Sequence, residues 1–264
     1  MNIYHGKLIH RLKDEHGPIE VVDDGLYRSL HFGSEPKQSS MLLNDPVALA
    51  LSYTRAMTTA LLFPATTRRF LLLGLGGGSL ARFLLHHFPD CQIDVVEFRP
   101  LVRDLAHSHF HLPDDDPRLS IHIDDAGRFL READEEHFAD YDVILIDAFI
   151  GSGIAQSVVG LSVYDACHAR LQPEGILGMN LWSGDTIRAE DIIGGLGESF
   201  GGNVMQLPVL GQENIIVLAS GGYRLKKRLR KVVERARELE RHTGVEYGIF
   251  VRQLRKHNHW LGLF

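Results

Sequence analysis

Four places in the chain combine residues able to do chemistry with a local pattern that holds them. The first is Leu71-Leu72-Leu73, then Gly74-Leu75-Gly76-Gly77-Gly78, then a helix-like run from Ser79. Glycine tolerates positive φ and lets the backbone approach a ligand, and the helix start that follows offers unpaired N–H groups. A tight turn holding nothing is the alternative, but four glycines in five positions exceed what a turn needs. The spacing fits G-x-G-x-G better than the dinucleotide pattern, because Ser79 stands where that pattern wants glycine or alanine. The second place is Asp94-Val95-Val96-Glu97, whose Glu97 lies about 20 residues beyond the loop, where a carboxylate can accept both hydroxyls of a ribose. In the third, Ile121-His122-Ile123-Asp124-Asp125, Asp125 either caps the next helix or accepts a hydrogen bond from an adenine amino group. The fourth, Val143-Ile144-Leu145-Ile146-Asp147, puts a carboxylate after a strand apolar enough to be buried on both faces. There Asp147 lies at the carboxyl edge of the sheet, where open α/β folds bind ligands, or simply buttresses a loop.

These residues need strands that end at one edge. Strands are predicted at Phe70–Leu73, Ile93–Glu97, Leu119–Ile123, Val143–Asp147 and Ile176–Asn180, with a helical stretch after each. Such alternation predicts a mostly parallel sheet with helices on both faces. Asn203–Leu207 and Asn214–Ala219 follow one another without a helix, so they predict an antiparallel hairpin at one sheet edge. The fold class is therefore α/β, Rossmann-like, of the methyltransferase type. Residues 1–42 read as a small N-terminal β domain around an Asp24-Gly25 hairpin turn. Residues 43–222 form the nucleoside-binding domain, entered by a helix that starts at Pro46 and carries Ala48 through Leu62, with Asp45 as cap. Residues 223–264 form a basic helix and tail. The stretch Tyr223–His242 reads as one helix with nine Lys or Arg against three Glu and an apolar stripe from Leu225 to Leu239.

The composition narrows the function. A chain of 264 residues with 44% hydrophobic and 23% charged residues has the material for a real core. Its formal charge of −6 gives the whole molecule no electrostatic reason to seek nucleic acid or an acidic membrane, although a local basic stretch can. Cys91 and Cys167 lie in apolar or helical segments and read as buried thiols of a reducing compartment, so the cytoplasm is expected, with no membrane segment. His107, His109 and His111 form an H-x-H-x-H pattern without supporting cysteines, beside Pro113 and an Asp run that read as surface loop. No metal is expected. His257, His259 and Trp260 read as docking the tail or lying exposed.

Taken together, the glycine loop, Val95-Val96-Glu97, Asp125, the run Asp142 to Phe149 and Tyr53-Thr54-Arg55 resemble the spermidine synthase (polyamine aminopropyltransferase) family. The resemblance reaches to about Ala219. It implies transfer of an aminopropyl group from decarboxylated S-adenosylmethionine to an amine, commonly by a homodimer. Gly74, Gly76, Gly77 and Gly78 would border the nucleoside, Glu97 its ribose and Asp125 its adenine. Asp147 would be catalytic, and Tyr53, Phe149 and Tyr164 would meet the acceptor.

The departures from the family pattern are specific. The loop's donor-holding Asp is Gly77 here, the second acid after the catalytic Asp is Ile150, and the acid after the ribose-binding Glu is Arg99. The Tyr-His-Glu trio is Tyr53-Thr54-Arg55. Losing carboxylates and gaining arginines predicts a weak electrostatic trap for a polyamine, hence poor use of putrescine. Two rivals follow: a methyltransferase using intact S-adenosylmethionine, and a non-catalytic nucleoside-binding protein that uses its basic helix to bind a partner.

Overall fold

A computed structural model describes residues 4–132, 141–150 and 153–258. The chain opens with an antiparallel sheet of β1 (Lys7–Asp14), β2 (Gly17–Asp23), β3 (Tyr27–His31) and β4 (Ser39–Leu42), joined in sequence order. Its inward alternation, Ile19, Val21, Leu30 and Met41, buries against Val102, Leu105 and Phe110 of the Pro100–Phe110 helix. The helix predicted from Pro46 begins instead at Ser52, as α1 (Ser52–Met57) continued by a 3-10 stretch over Thr58–Leu62. Leu49 pairs with Met41 in a β-bridge and the Pro46 carbonyl accepts from Arg82 Nε at 2.7 Å, which holds the preceding residues out of helix.

The central unit runs β5 (Arg69–Leu73), α2 (Ser79–His87), β6 (Gln92–Glu97), α3 (Pro100–Phe110), β7 (Leu119–Ile123), α4 (Ala126–Glu132) and β8 (Tyr141–Ile146). A two-stranded ribbon, β9 (Phe149–Ile150) and β10 (Gly153–Ile154), precedes α5 (Leu161–Arg170), β11 (Leu171–Trp182), α6 (Thr186–Ser199), β12 (Val204–Pro208) and β13 (Asn214–Ala219). The seven-stranded sheet has the order β12-β13-β11-β8-β5-β6-β7. Its pairs from β11 to β7 are parallel, and β13 is antiparallel to both neighbours, so the predicted edge hairpin is present. Strand β5 shows the period-2 logic: Phe70 and Leu72 enter one apolar cluster, Leu71 and Leu73 the other.

The single basic helix predicted over Tyr223–His242 is two, and a third helix forms in the predicted tail. α7 (Leu225–Leu229), α8 (Val233–Thr243) and α9 (Tyr247–His257) follow one another, with turns between them. Like charges four residues apart, Lys226 with Arg230 and Lys227 with Lys231, disfavour one continuous helix. The break lets Leu225, Leu229, Val232, Ala236 and Leu239 all reach the core. His259 and Trp260 lie outside the described residues.

Strand order reverses between β5 and β8, because β6 and β7 lie on one side and β11 on the other. Open α/β sheets bind ligands at such a point. The ends of these two strands touch: the Asp147 N–H donates to the Leu73 carbonyl at 2.9 Å. Gly74 has φ +102°, and a Cβ there would sit 2.3 Å from the Asp147 carbonyl oxygen. Only glycine fits. On the other side of the loop, Arg99 clamps the N-terminal sheet to the core. It donates from Nε and Nη2 to Asp14 at 2.8 and 2.6 Å, reaches the Gly17 carbonyl at 3.0 Å and lies 4.5 Å from the Phe32 ring centroid.

Gly74→Ala is expected to cost about 3 kcal/mol, read as a lower urea midpoint, because backbone must move on one strand end or the other. Arg99→Ala is expected to cost about 1.5–3 kcal/mol, the loss of charge-assisted hydrogen bonds in a part-buried pair. The hydrogen bonds from Arg99 hold the Asp14 carboxyl below its ordinary range. That contribution is therefore present above the unfolded pKa near 4 and is lost as pH falls through the lower folded value. A urea series from pH 7 to about pH 3 should show this acid-sensitive component in the parent chain and not in the variant.

Candidate active site

A cleft of about 1330 Å³ opens over the strand ends at the switch point. That is larger than the range of about 300–1,000 Å³ usual for one small ligand, leaving room for a donor and an acceptor together. Its walls come from the N-terminal sheet, the glycine loop, the ends of β6, β7, β8 and β11, and the β12–β13 turn.

The glycine loop is held from both sides. Glu97, buried, accepts from Leu75 N at 3.0 Å and Arg99 N at 2.8 Å, with a further backbone bond from Gly76. Burial pushes its pKa up, and these N–H donors pull it partly back. Arg82, also buried, donates to the Gly77 carbonyl at 3.0 Å and the Phe110 carbonyl at 2.6 Å. Gly74 and Gly76 line the cleft, whereas Gly77 and Gly78 do not. Position 77 faces inward: a Cβ there would lie 2.8 Å from Ser39 Oγ and 2.9 Å from Phe110 Cδ1. Gly78, with φ +70°, caps the start of α2. A carboxylate at position 77 would thus require the N-terminal sheet and α3 to shift. Ser39 and Ser79, joined Oγ to Oγ at 3.2 Å, and Gln38 line the cleft beside the loop.

Asp125 caps α4, accepting from Arg128 N at 2.8 Å, and also lines the cleft. Asp147 sits on the cleft floor. Asn180 Nδ2 donates to its Oδ1 at 2.9 Å, the Tyr53 hydroxyl bonds the same carboxylate, and Asn214 Nδ2 holds Asn180 Oδ1 at 2.9 Å. Burial drives the Asp147 pKa up to about 6 against the pull of those donors. The result is a carboxylate that is both oriented and basic near neutrality. Burial, then the Asp147 charge, pushes the Tyr53 phenol well above its ordinary value, so Tyr53 is a neutral donor. Phe149 lines the cleft as expected, but Tyr164 does not. Tyr164 is buried on α5 and faces α6, where a Cβ at Gly195 would lie 2.8 Å from its ring, and so it serves the core.

The two arginines expected to weaken a polyamine trap are engaged elsewhere. Arg55 turns away to Glu246 at 3.0 Å and to the carbonyls of Leu49 and Ala50. Arg99 is neutralised by Asp14. Glu213, on the turn between β12 and β13, joins the cleft, with its Oε2 accepting from Trp182 Nε1 at 2.8 Å. Among the described lining residues, Glu97, Asp124, Asp125, Asp147 and Glu213 face two cations, Lys37 and Arg99. Lys37 itself lies 3.5 Å from Asp24. Such a cleft attracts cations. Asn180, Trp182, Glu213 and Asn214 were not legible as site residues, because they lie on strands and a turn that pairing alone brings beside β8. The one hint is that Asn180 interrupts an apolar strand.

The histidine cluster disperses: His107 Nδ1 lies 3.1 Å from Asp114, the His109 ring stacks 4.7 Å from His10, and His111 ends α3 with φ 55°. Among the described residues, no group of three or more His, Cys, Asp or Glu is placed to hold a metal ion, and no helix is long and apolar enough to cross a membrane.

The profile of the Spermine/spermidine synthase domain matches residues 51–186. A polyamine aminopropyltransferase of Chromobacterium violaceum is 35% identical over 91% of this chain and 90% of its own. The crystal structure of a probable spermidine synthase from Corynebacterium glutamicum superposes with a TM-score of 0.72 at 24% identity, covering 89% of this chain and 88% of that one. Human methyltransferase-like protein 13, solved in complex with SAH, gives 0.65 at 25% identity over 73% and 93%. With the glycine loop, Glu97, Asp125 and Asp147 brought to one cleft, and a matched domain spanning half of the chain, this protein belongs to the spermine/spermidine synthase family.

Proposed function

We propose that this protein transfers an aminopropyl group from decarboxylated S-adenosylmethionine to a diamine, as a cytoplasmic homodimer. The observation that carries this reading is Asp147, a partly buried carboxylate whose desolvation lifts its pKa to about 6, held between Tyr53 and Asn180 on the cleft floor. Glu97 and Asp125 hold the adenosyl half. The acceptor amine, a cation in water, is drawn into the acidic cleft and oriented by Asp147 and the Tyr53 hydroxyl. Asp147 accepts its proton. The free amine attacks the aminopropyl carbon attached to sulfur, forming a C–N bond as the C–S bond breaks and its electron pair returns to sulfur. Methylthioadenosine leaves as a neutral thioether. Alignment of the two reactants in one cleft supplies the larger part of the acceleration.

The acceptor's far ammonium is assigned to Glu213, which takes the part that Ile150 cannot. Putrescine is therefore a competent acceptor in this reading. A methyltransferase reading has one observation in its favour: no carboxylate at position 77 opposes the carboxylate of intact S-adenosylmethionine. A thermal-shift comparison of both donors with methylthioadenosine separates the two, since a ligand at 100 times its Kd stabilises by about 2.7 kcal/mol.

Asp147→Asn keeps the shape and a hydrogen-bonding oxygen but loses the base, so turnover should fall by about 10²–10⁴ while methylthioadenosine binding changes little. In the parent enzyme kcat/KM should fall as pH drops below about 6, where Asp147 takes a proton. A carboxyl whose folded pKa is raised loses stability as pH rises towards neutrality, so the Asn variant should melt no lower at pH 7. Unchanged turnover with a lower melting temperature would make Asp147 structural. Glu97→Ala should weaken methylthioadenosine by about 1.5–3 kcal/mol in calorimetry, and Glu213→Gln should raise the KM for the diamine with little change in kcat.

A further inference from the structure

The charge of this chain is polarised. Residues 223–257 hold 12 of the 28 Lys and Arg and 4 of the 34 Asp and Glu, a balance of +8; the remainder therefore carries −14. Tertiary packing then sorts the side chains of α7, α8 and α9. Leu225, Leu229, Val232, Ala236, Leu239 and Leu254 are all turned into the core. Arg224, Lys227, Arg230, Lys231, Arg237 and Arg241 are exposed. None of residues 223–258 lines the cleft, so this cationic layer belongs to no part of the site described above.

We propose that this helical layer binds double-stranded nucleic acid through its phosphates. Eight of its 12 cations are arginines, whose planar forks match phosphate oxygens. A membrane surface fits less well, because stable anchoring takes an inserted apolar group besides basic charge, and among the described residues of these helices Ile249 is the one large apolar side chain left exposed. A single strand fits less well too. Such strands need exposed aromatic platforms, whereas Tyr247 and Phe250 are buried and the Tyr223 ring is covered by Arg228, 4.3 Å from its centroid. The acidic remainder, cleft included, repels a polyanion, so a duplex approaches from this side alone.

The test is fluorescence anisotropy of the full chain with a labelled duplex of about 20 base pairs, titrated at several salt concentrations. Micromolar binding at about 50 mM salt is expected, with log K falling against log salt at a slope of about −4, the release of counterions from about five phosphates. Lys227→Glu/Arg230→Glu/Lys231→Glu should weaken binding at least tenfold and flatten the slope, with melting temperature and amine alkylation unchanged. Arg237→Glu/Arg241→Glu, on a different helix, should do the same. The proposal is overturned by no binding at low salt, by a slope near zero, or by variants that bind as the parent does. It is equally overturned if anionic vesicles bind and the duplex does not, or if the variants change only the mass in light scattering, which would make this face a contact between copies of the chain.

Discussion

The approach of Gly74 to the Asp147 carbonyl is the constraint on which the rest of the site depends. Two parallel strands end side by side at the point where strand order reverses, and a side chain on either crossing would force them apart. Because Gly74 lets the loop cross so closely, the start of α2 and the Asp147 carboxylate face the same cleft. Glu97 then holds the loop by its N–H groups and Arg82 by a carbonyl, so the loop's shape is set by buried charges whose own partners are backbone. Ligand binding there needs little reorganisation, which is the economy of a preformed site.

Burial of Asp147 works in two directions. Desolvation makes the carboxylate a better base, and the same desolvation makes the ionised form costly to the fold. Asn180 and Tyr53 limit that cost with hydrogen bonds, and Asn214 fixes Asn180 in turn. Basicity and stability are opposed at this residue.

Electrostatics separates the molecule's surfaces. Carboxylates gather at the strand ends because three parallel strands, β6, β7 and β8, deliver their acids to one edge, while the cations of the C-terminal helices stay outside because their apolar stripe is what the core accepts. A net charge of −6 describes neither region.

What the sequence determined by itself was local: the strand, glycine loop and helix from Phe70 to His87, the acids ending β6, β7 and β8, and the antiparallel ending from Val204 to Ala219. These are written in short-range patterns of period 2, glycine and charge. The tertiary structure decided what depends on pairing and burial. It turned Arg55 and Arg99 from supposed repellents into structural clamps, placed Tyr164 in the core, and broke the basic helix in two before α9. It also brought Asn180, Trp182 and Glu213 beside Asp147, across two strand pairings that link residues 33 to 66 positions apart. Side-chain types carry no record of which distant strand will lie alongside, and a carboxylate's basicity depends on the water its neighbours exclude. For that reason Asp147 could be named from the chain, and its pKa and partners only from the fold.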